Sequence, residues 1–87
     1  MSADNFLIIR EQPDGKFTVL EGRLSGWDDY LAARSDLEID TYLTKSAEPH
    51  EGVFDSKDAA HHYCDLFETN NIVEYGREVH LRKRNQS

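Results

Sequence analysis

The sequence predicts an α+β fold: a small, mostly antiparallel sheet in the order β-β-α-β-α-β, with helices packed on one face. Three observations carry that expectation. The apolar, β-branched run NFLIIREQ (5–12) is followed by the turn signal QPDGKF and the alternating stretch KFTVLEG (16–22), and together they read as a hairpin. Two stretches, 25–34 and 56–69, carry apolar residues at helical spacing behind capping residues. Two more, 37–44 and 72–82, alternate with the period of a strand. In a chain of 87 residues these elements make one domain, 1–87, with a modest core.

Each element has a local reason. The first run is apolar throughout, as a strand buried on both faces requires. In the turn, Pro13 presets φ, Asp14 tolerates the bend and Gly15 supplies a positive φ. In the second strand Phe17 and Val19 fall on one side, Thr18 and Leu20 on the other. In SGWDDYLAAR (25–34), Ser25 and Asp28 stand in the relation of a capping box, and Trp27, Tyr30 and Leu31 share one helical face. Beyond it Leu37, Ile39, Thr41 and Leu43 alternate with Glu38, Asp40, Tyr42 and Thr44, so 37–44 reads as a strand with one acidic side. Residues 45–52 read as a loop. Asp55 or Ser56 caps the next helix and Asp58 lies in its first turn, where the helix dipole favours an acid. Asparagines after Thr69 end it. The last strand, 72–82, holds Val73, Tyr75, Val79 and Leu81 on one face, and Gly76 marks a bulge or close approach.

Composition narrows the functional classes. Seventeen acids face ten bases, a formal net charge of −7. Twelve acids and four bases lie within 21–68, whereas the last twelve residues carry four bases and one acid. A strongly acidic body repels phosphate backbones, so direct nucleic-acid binding is disfavoured. The basic end, 83–87, reads as a frayed tail. A single cysteine excludes an internal disulfide and fits a reducing compartment. The apolar run near the start is too short for a signal-peptide core or a membrane span, so the expected location is the cytoplasm, with no membrane partner.

Candidate chemistry concentrates in DAAHHYCDLF (58–67). On a helix advancing about 100° per residue, Ala59, Ala60, Tyr63, Leu66 and Phe67 fall within an arc of about 120° and form the core-facing stripe. His61 and His62 point to different sides and cannot grip one ion together. His61 and Cys64, three apart, share a flank and are the only weak metal candidates; a structural zinc site needs four ligands, and no second pair has recognisable spacing. Cys64 sits mid-helix, away from the N-terminal field that lowers a thiol pKa. No glycine loop that could cradle a phosphate and no carboxylate pair across a cleft is present. The reading is therefore no enzyme and no cofactor.

The acidic run is the better candidate. Asp28, Asp29, Asp36, Glu38 and Asp40 fall within thirteen residues, and Trp27 and Tyr42 flank them as interface anchors. Such a face would dock on a basic groove of a partner protein in a salt-sensitive way. The alternative is a structural or assembly protein that self-associates through a sheet edge.

The opening MSADN followed directly by a strand, the helix entry VFDSKDAA (53–60) and VEYG (73–76) occur together in a loose group of small phage and prophage proteins, and the chain resembles that group at both ends. The group is largely uncharacterised, so the resemblance transfers no catalytic residue. It implies a setting: a mobile-element protein inside a bacterial host cell, binding a host or phage protein. By analogy with anti-CRISPR-like factors of similar size and charge, it implies inhibition or modulation of a host system.

Overall fold

The structure, a computed structural model, describes residues 4–33 and 35–82, with Trp27 described by its backbone alone. The expected tail, 83–87, lies outside the described residues. Strand β1 (Asn5–Glu11) and strand β2 (Phe17–Arg23) form the expected antiparallel hairpin, in register from Asn5 opposite Arg23 to Glu11 opposite Phe17. Its turn closes with the Gly15 N–H on the Gln12 carbonyl (2.9 Å), and Gly15 has φ +86, which glycine adopts without penalty. A single 3-10 turn, Leu24–Gly26, leads into helix α1 (Trp27–Ala32). The Ser25–Asp28 capping box does not form: the residue before α1 is Gly26, and no side chain caps the helix.

The expected strand at 37–44 is instead helix α2 (Asp36–Ser46). Ile39, Tyr42 and Leu43, at helical spacing, form its buried face, and Leu37 is left 76% exposed. The start is fixed by Ser35, whose Oγ accepts the Glu38 N–H (3.2 Å) and whose hydroxyl donates to the Glu38 carboxylate (3.2 Å). Thr41 and Thr44 donate to the carbonyls four residues back rather than to a neighbouring strand. The expected loop at 45–52 contains a two-residue strand, β3 (Glu48–Pro49), paired antiparallel to β2. Helix α3 (Lys57–Asn70) falls where expected, with Ser56 as its cap: Ser56 Oγ accepts the Ala59 N–H (3.1 Å). The final strand, β4 (Arg77–His80), is shorter than 72–82 and runs parallel to β1.

The sheet order is β3-β2-β1-β4, mostly antiparallel, so the class is α+β as predicted. The chain order, however, is β-β-α-α-β-α-β, and the helices do not share one face. Phe6 and Ile8 of β1 pack with Tyr30, Ile39, Tyr42 and Leu43 of α1 and α2. Leu7 and Ile9 pack with Phe17, Val19, Ala60 and Cys64, placing α3 on the other side. Successive side chains of a strand alternate between faces, so a central strand buried at all seven positions requires cover on both. Gly22 is fixed by that packing: a Cβ there would lie 2.6 Å from the Phe6 ring. Gly22→Ala is expected to lower the unfolding free energy by about 1–2 kcal/mol through overpacking, read by urea denaturation.

Candidate interaction face

The acids singled out in sequence part into two groups. Because 36–46 is helical, Asp36 and Asp40 lie one turn apart and turn toward the sheet. There they meet Arg10 of β1, whose side chain is 1% exposed. Arg10 donates from Nε (3.2 Å) and Nη2 (2.7 Å) to Asp40 Oδ1, and from Nη2 to the Asp36 carbonyl. Arg82, just after β4, reaches the same Asp40 carboxylate at 3.2 Å. Burial alone would raise the Asp40 pKa, but the hydrogen bonds from Arg10 and Arg82 outweigh it and hold the carboxyl below its ordinary value. The Asp36 carboxylate sits 3.7–3.8 Å from Arg10, His80 and Arg82, an ion-pair distance. These two acids balance internal cations and are not free to meet a partner.

Asp28, Asp29 and Glu38 remain exposed. On the same two helices Leu31 (50%) and Leu37 (76%) are exposed. Between α1 and α2 runs a shallow groove of about 400 Å³, with Asp29, Glu38 and Thr41 at its rim, Leu37 and Ala33 along it, and Lys45 lining it as well. Tyr42, expected as an anchor, is 6% exposed and packs on Tyr30 at 5.6 Å, so it supports the groove from beneath rather than presenting itself. Burial, with the Asp29 charge behind it, raises its pKa. The Trp27 side chain lies outside the described residues.

The two weak metal candidates separate. Cys64 is wholly buried in the α3 core, and burial pushes its thiol up to about 11, with Arg77 only partly offsetting it. His61 Nδ1 accepts from Arg77 Nη1 (3.0 Å). The same guanidinium donates to the Asp65 and Glu68 carboxylates, so an arginine fills the space between the ligand-type side chains on this flank. Among the described residues, no group of three or more His, Cys, Asp or Glu side chains is placed to hold a metal ion. The buried stripe of α3 is Ala60, Tyr63, Cys64 and Phe67; Ala59 and Leu66, expected within it, are exposed.

One constellation has no counterpart in the sequence reading. Tyr63 Oη lies 2.5 Å from His50 Nδ1, His50 Nε2 lies 3.0 Å from Glu21 Oε1, and Asn5 donates to Glu21 Oε2 (2.6 Å). The His50 ring packs edge-on against Phe67 at 4.7 Å. The order hydroxyl, imidazole, carboxylate is that of a nucleophile with its base. Burial, followed by the nearby Cys64, Glu21 and Glu51, raises the Tyr63 pKa, so the phenol is held protonated. Burial opposes ionisation of Glu21, but the Asn5 and His50 hydrogen bonds prevail and its pKa is lowered. A protonated phenol donating through an imidazole to a carboxylate is a strap: it fastens α3 and the segment after β3 to β2. Thirteen and twenty-nine residues separate its members from His50, and no motif spacing announces it.

No helix among the described residues is long and apolar enough to cross a membrane. No family model, curated protein or solved structure matches the chain.

Proposed function

We propose that the chain acts by protein–protein binding, with the α1–α2 face as its contact surface and a basic, amphipathic segment of another protein as its partner. The observation that carries this reading is the α1–α2 groove, where the strongly exposed Leu37 lies with the exposed acids Asp29 and Glu38. Burying a leucine contributes about 1.5–3 kcal/mol. The acids Asp28, Asp29 and Glu38 add steering and orientation. In the phage-type setting that the sequence resembles, the partner is a host protein and the outcome is modulation of a host system.

The substitutions that address this face are Asp28→Lys, Asp29→Lys and Leu37→Asp together, since all three side chains are exposed. Affinity capture from bacterial lysate at low and high salt, with quantitative mass spectrometry, identifies the partner. Its affinity for the triple variant is expected to fall at least about tenfold, roughly 1.4 kcal/mol, with the urea midpoint close to that of the parent chain. Equal affinity of variant and parent removes this face from the function.

A further inference from the structure

Tyr42 lines the α1–α2 groove with its ring packed on Tyr30 and only 6% of the residue exposed. Its hydroxyl reaches the start of α1. A Cβ on Gly26 would come within 3.2 Å of the phenol oxygen, and the charge of Asp29, which lines the same groove, acts on it. That oxygen is buried and has no hydrogen-bond partner among the described residues. Buried side-chain oxygens are nearly always bonded, and leaving one without a partner costs stability. Phenylalanine would fill the same space without that cost. Nothing in the folded chain accounts for the hydroxyl, whereas a ligand in the groove does.

We propose that the groove receives an arginine side chain of the partner, its guanidinium donating to both the Tyr42 hydroxyl and the Asp29 carboxylate and its methylene stem lying on the apolar wall of Leu37 and Ala33. The inference rests on the reading of α1–α2 as a binding face and names the residue by which the partner is held. The lining selects it. Asp29 and Glu38 bring two negative charges to the groove from its two helices, against one positive charge from Lys45. The occupant is therefore a cation with an apolar stem. It also has to satisfy a neutral oxygen and a carboxylate at once. A guanidinium presents five N–H donors in one plane and sheds water readily, so it serves both acceptors. A lysine ammonium is a compact, strongly hydrated charge and loses more on entering a half-enclosed groove. Lys45, three residues beyond Tyr42 on α2, repels either cation and sets a limit on the affinity.

Titrating the isotope-labelled full chain with Nα-acetyl-arginine methylamide, followed by NMR, tests the proposal, with the matching lysine compound as control. Saturable shifts confined to α1 and α2, Asp29 and Tyr42 included, are expected with the arginine compound, and weaker binding with the lysine one. Tyr42→Phe is expected to weaken arginine binding about fivefold or more, the loss of one hydrogen bond to a charged group, while its urea midpoint stays level or rises. Loss of a structural hydrogen bond would lower that midpoint instead. Lys45→Gln is expected to tighten binding. The proposal is overturned by an absence of saturable shifts at α1–α2, by lysine binding as tightly as arginine, by Tyr42→Phe binding like the parent chain or unfolding at lower urea, or by Lys45→Gln weakening the complex. The face itself fails separately: a captured partner that tolerates the Asp28, Asp29 and Leu37 triple variant removes the face, whereas one lost with that variant but indifferent to Tyr42→Phe removes only the arginine.

Discussion

Reversing Asp36 and Asp40 to lysine is expected to cost about 3–5 kcal/mol of folding free energy, the range for stripping a buried charge of its partners. In a domain whose whole stability is of the order of 5–10 kcal/mol, that leaves a substantial unfolded population. The reason lies at Arg10, 1% exposed in the central strand. Its guanidinium cannot return to water, and its carboxylate partners are Asp36 and Asp40. The reversal also turns Arg82 from a partner of those acids into a like-charged neighbour. Circular dichroism with urea titration reads the effect, and an unchanged midpoint would show that Arg10 is compensated from elsewhere. The consequence for function is direct. From sequence, the acids of 28–40 form one acidic face, and reversing Asp36, Glu38 and Asp40 together looks like a test of binding. In the fold that triple reversal damages the core, and lost binding would follow from lost structure. Asp28 and Asp29 carry the clean test.

The same stretch explains how much of the molecule was legible. Every position of 37–44 is compatible with a strand of period two, and three of them, Ile39, Tyr42 and Leu43, are equally compatible with a helix. What decides is outside the window. Ser35 caps the helix by accepting the Glu38 N–H, and Arg10, twenty-six residues upstream, is satisfied only if Asp36 and Asp40 lie on one side of a helix. Tertiary context overrides a local pattern when a buried charge depends on the outcome. The hairpin and α3 were readable because their signals are local: a Pro-Asp-Gly turn between apolar runs, and a serine cap before an apolar stripe. The double-sided helical cover was implicit in β1, whose unbroken apolar run can be buried only from both faces. The Tyr63–His50–Glu21 strap was not readable at all. Its members come from α3, a connecting segment and β2, and only the completed fold brings them together.

Replacing Arg77 by methionine is the second large effect expected, about 2–3 kcal/mol, because several charge-assisted hydrogen bonds are lost together. Arg77 is the clamp between β4 and α3: it donates to Asp65 Oδ1 (2.7 Å), Glu68 Oε2 (2.5 Å), the His61 carbonyl (3.2 Å) and His61 Nδ1 (3.0 Å). Methionine keeps the apolar stem and removes all four bonds. Two readouts separate this from a general loss of packing. The first is the Cys64 thiol, buried beneath the same contact and held protonated with a pKa of about 11. In the parent chain it should resist thiol reagents at neutral pH; in Arg77→Met it should react faster as α3 lifts from β4, whereas global stability measured far from that edge falls by the stated amount. The second is acid. The hydrogen bond from Arg77 holds the Asp65 carboxyl below its ordinary value. A carboxylate lowered on folding adds stability that is complete above its unfolded pKa of about 4 and disappears as pH falls through the lower folded value. The parent chain should therefore lose the Asp65 share on acidification below about pH 4, together with those of Asp40 and Glu21, which are lowered by other partners. Arg77→Met should lose only the latter two, giving a shallower fall of stability with acid. Equal acid slopes, with unchanged Cys64 reactivity, would place the clamp elsewhere.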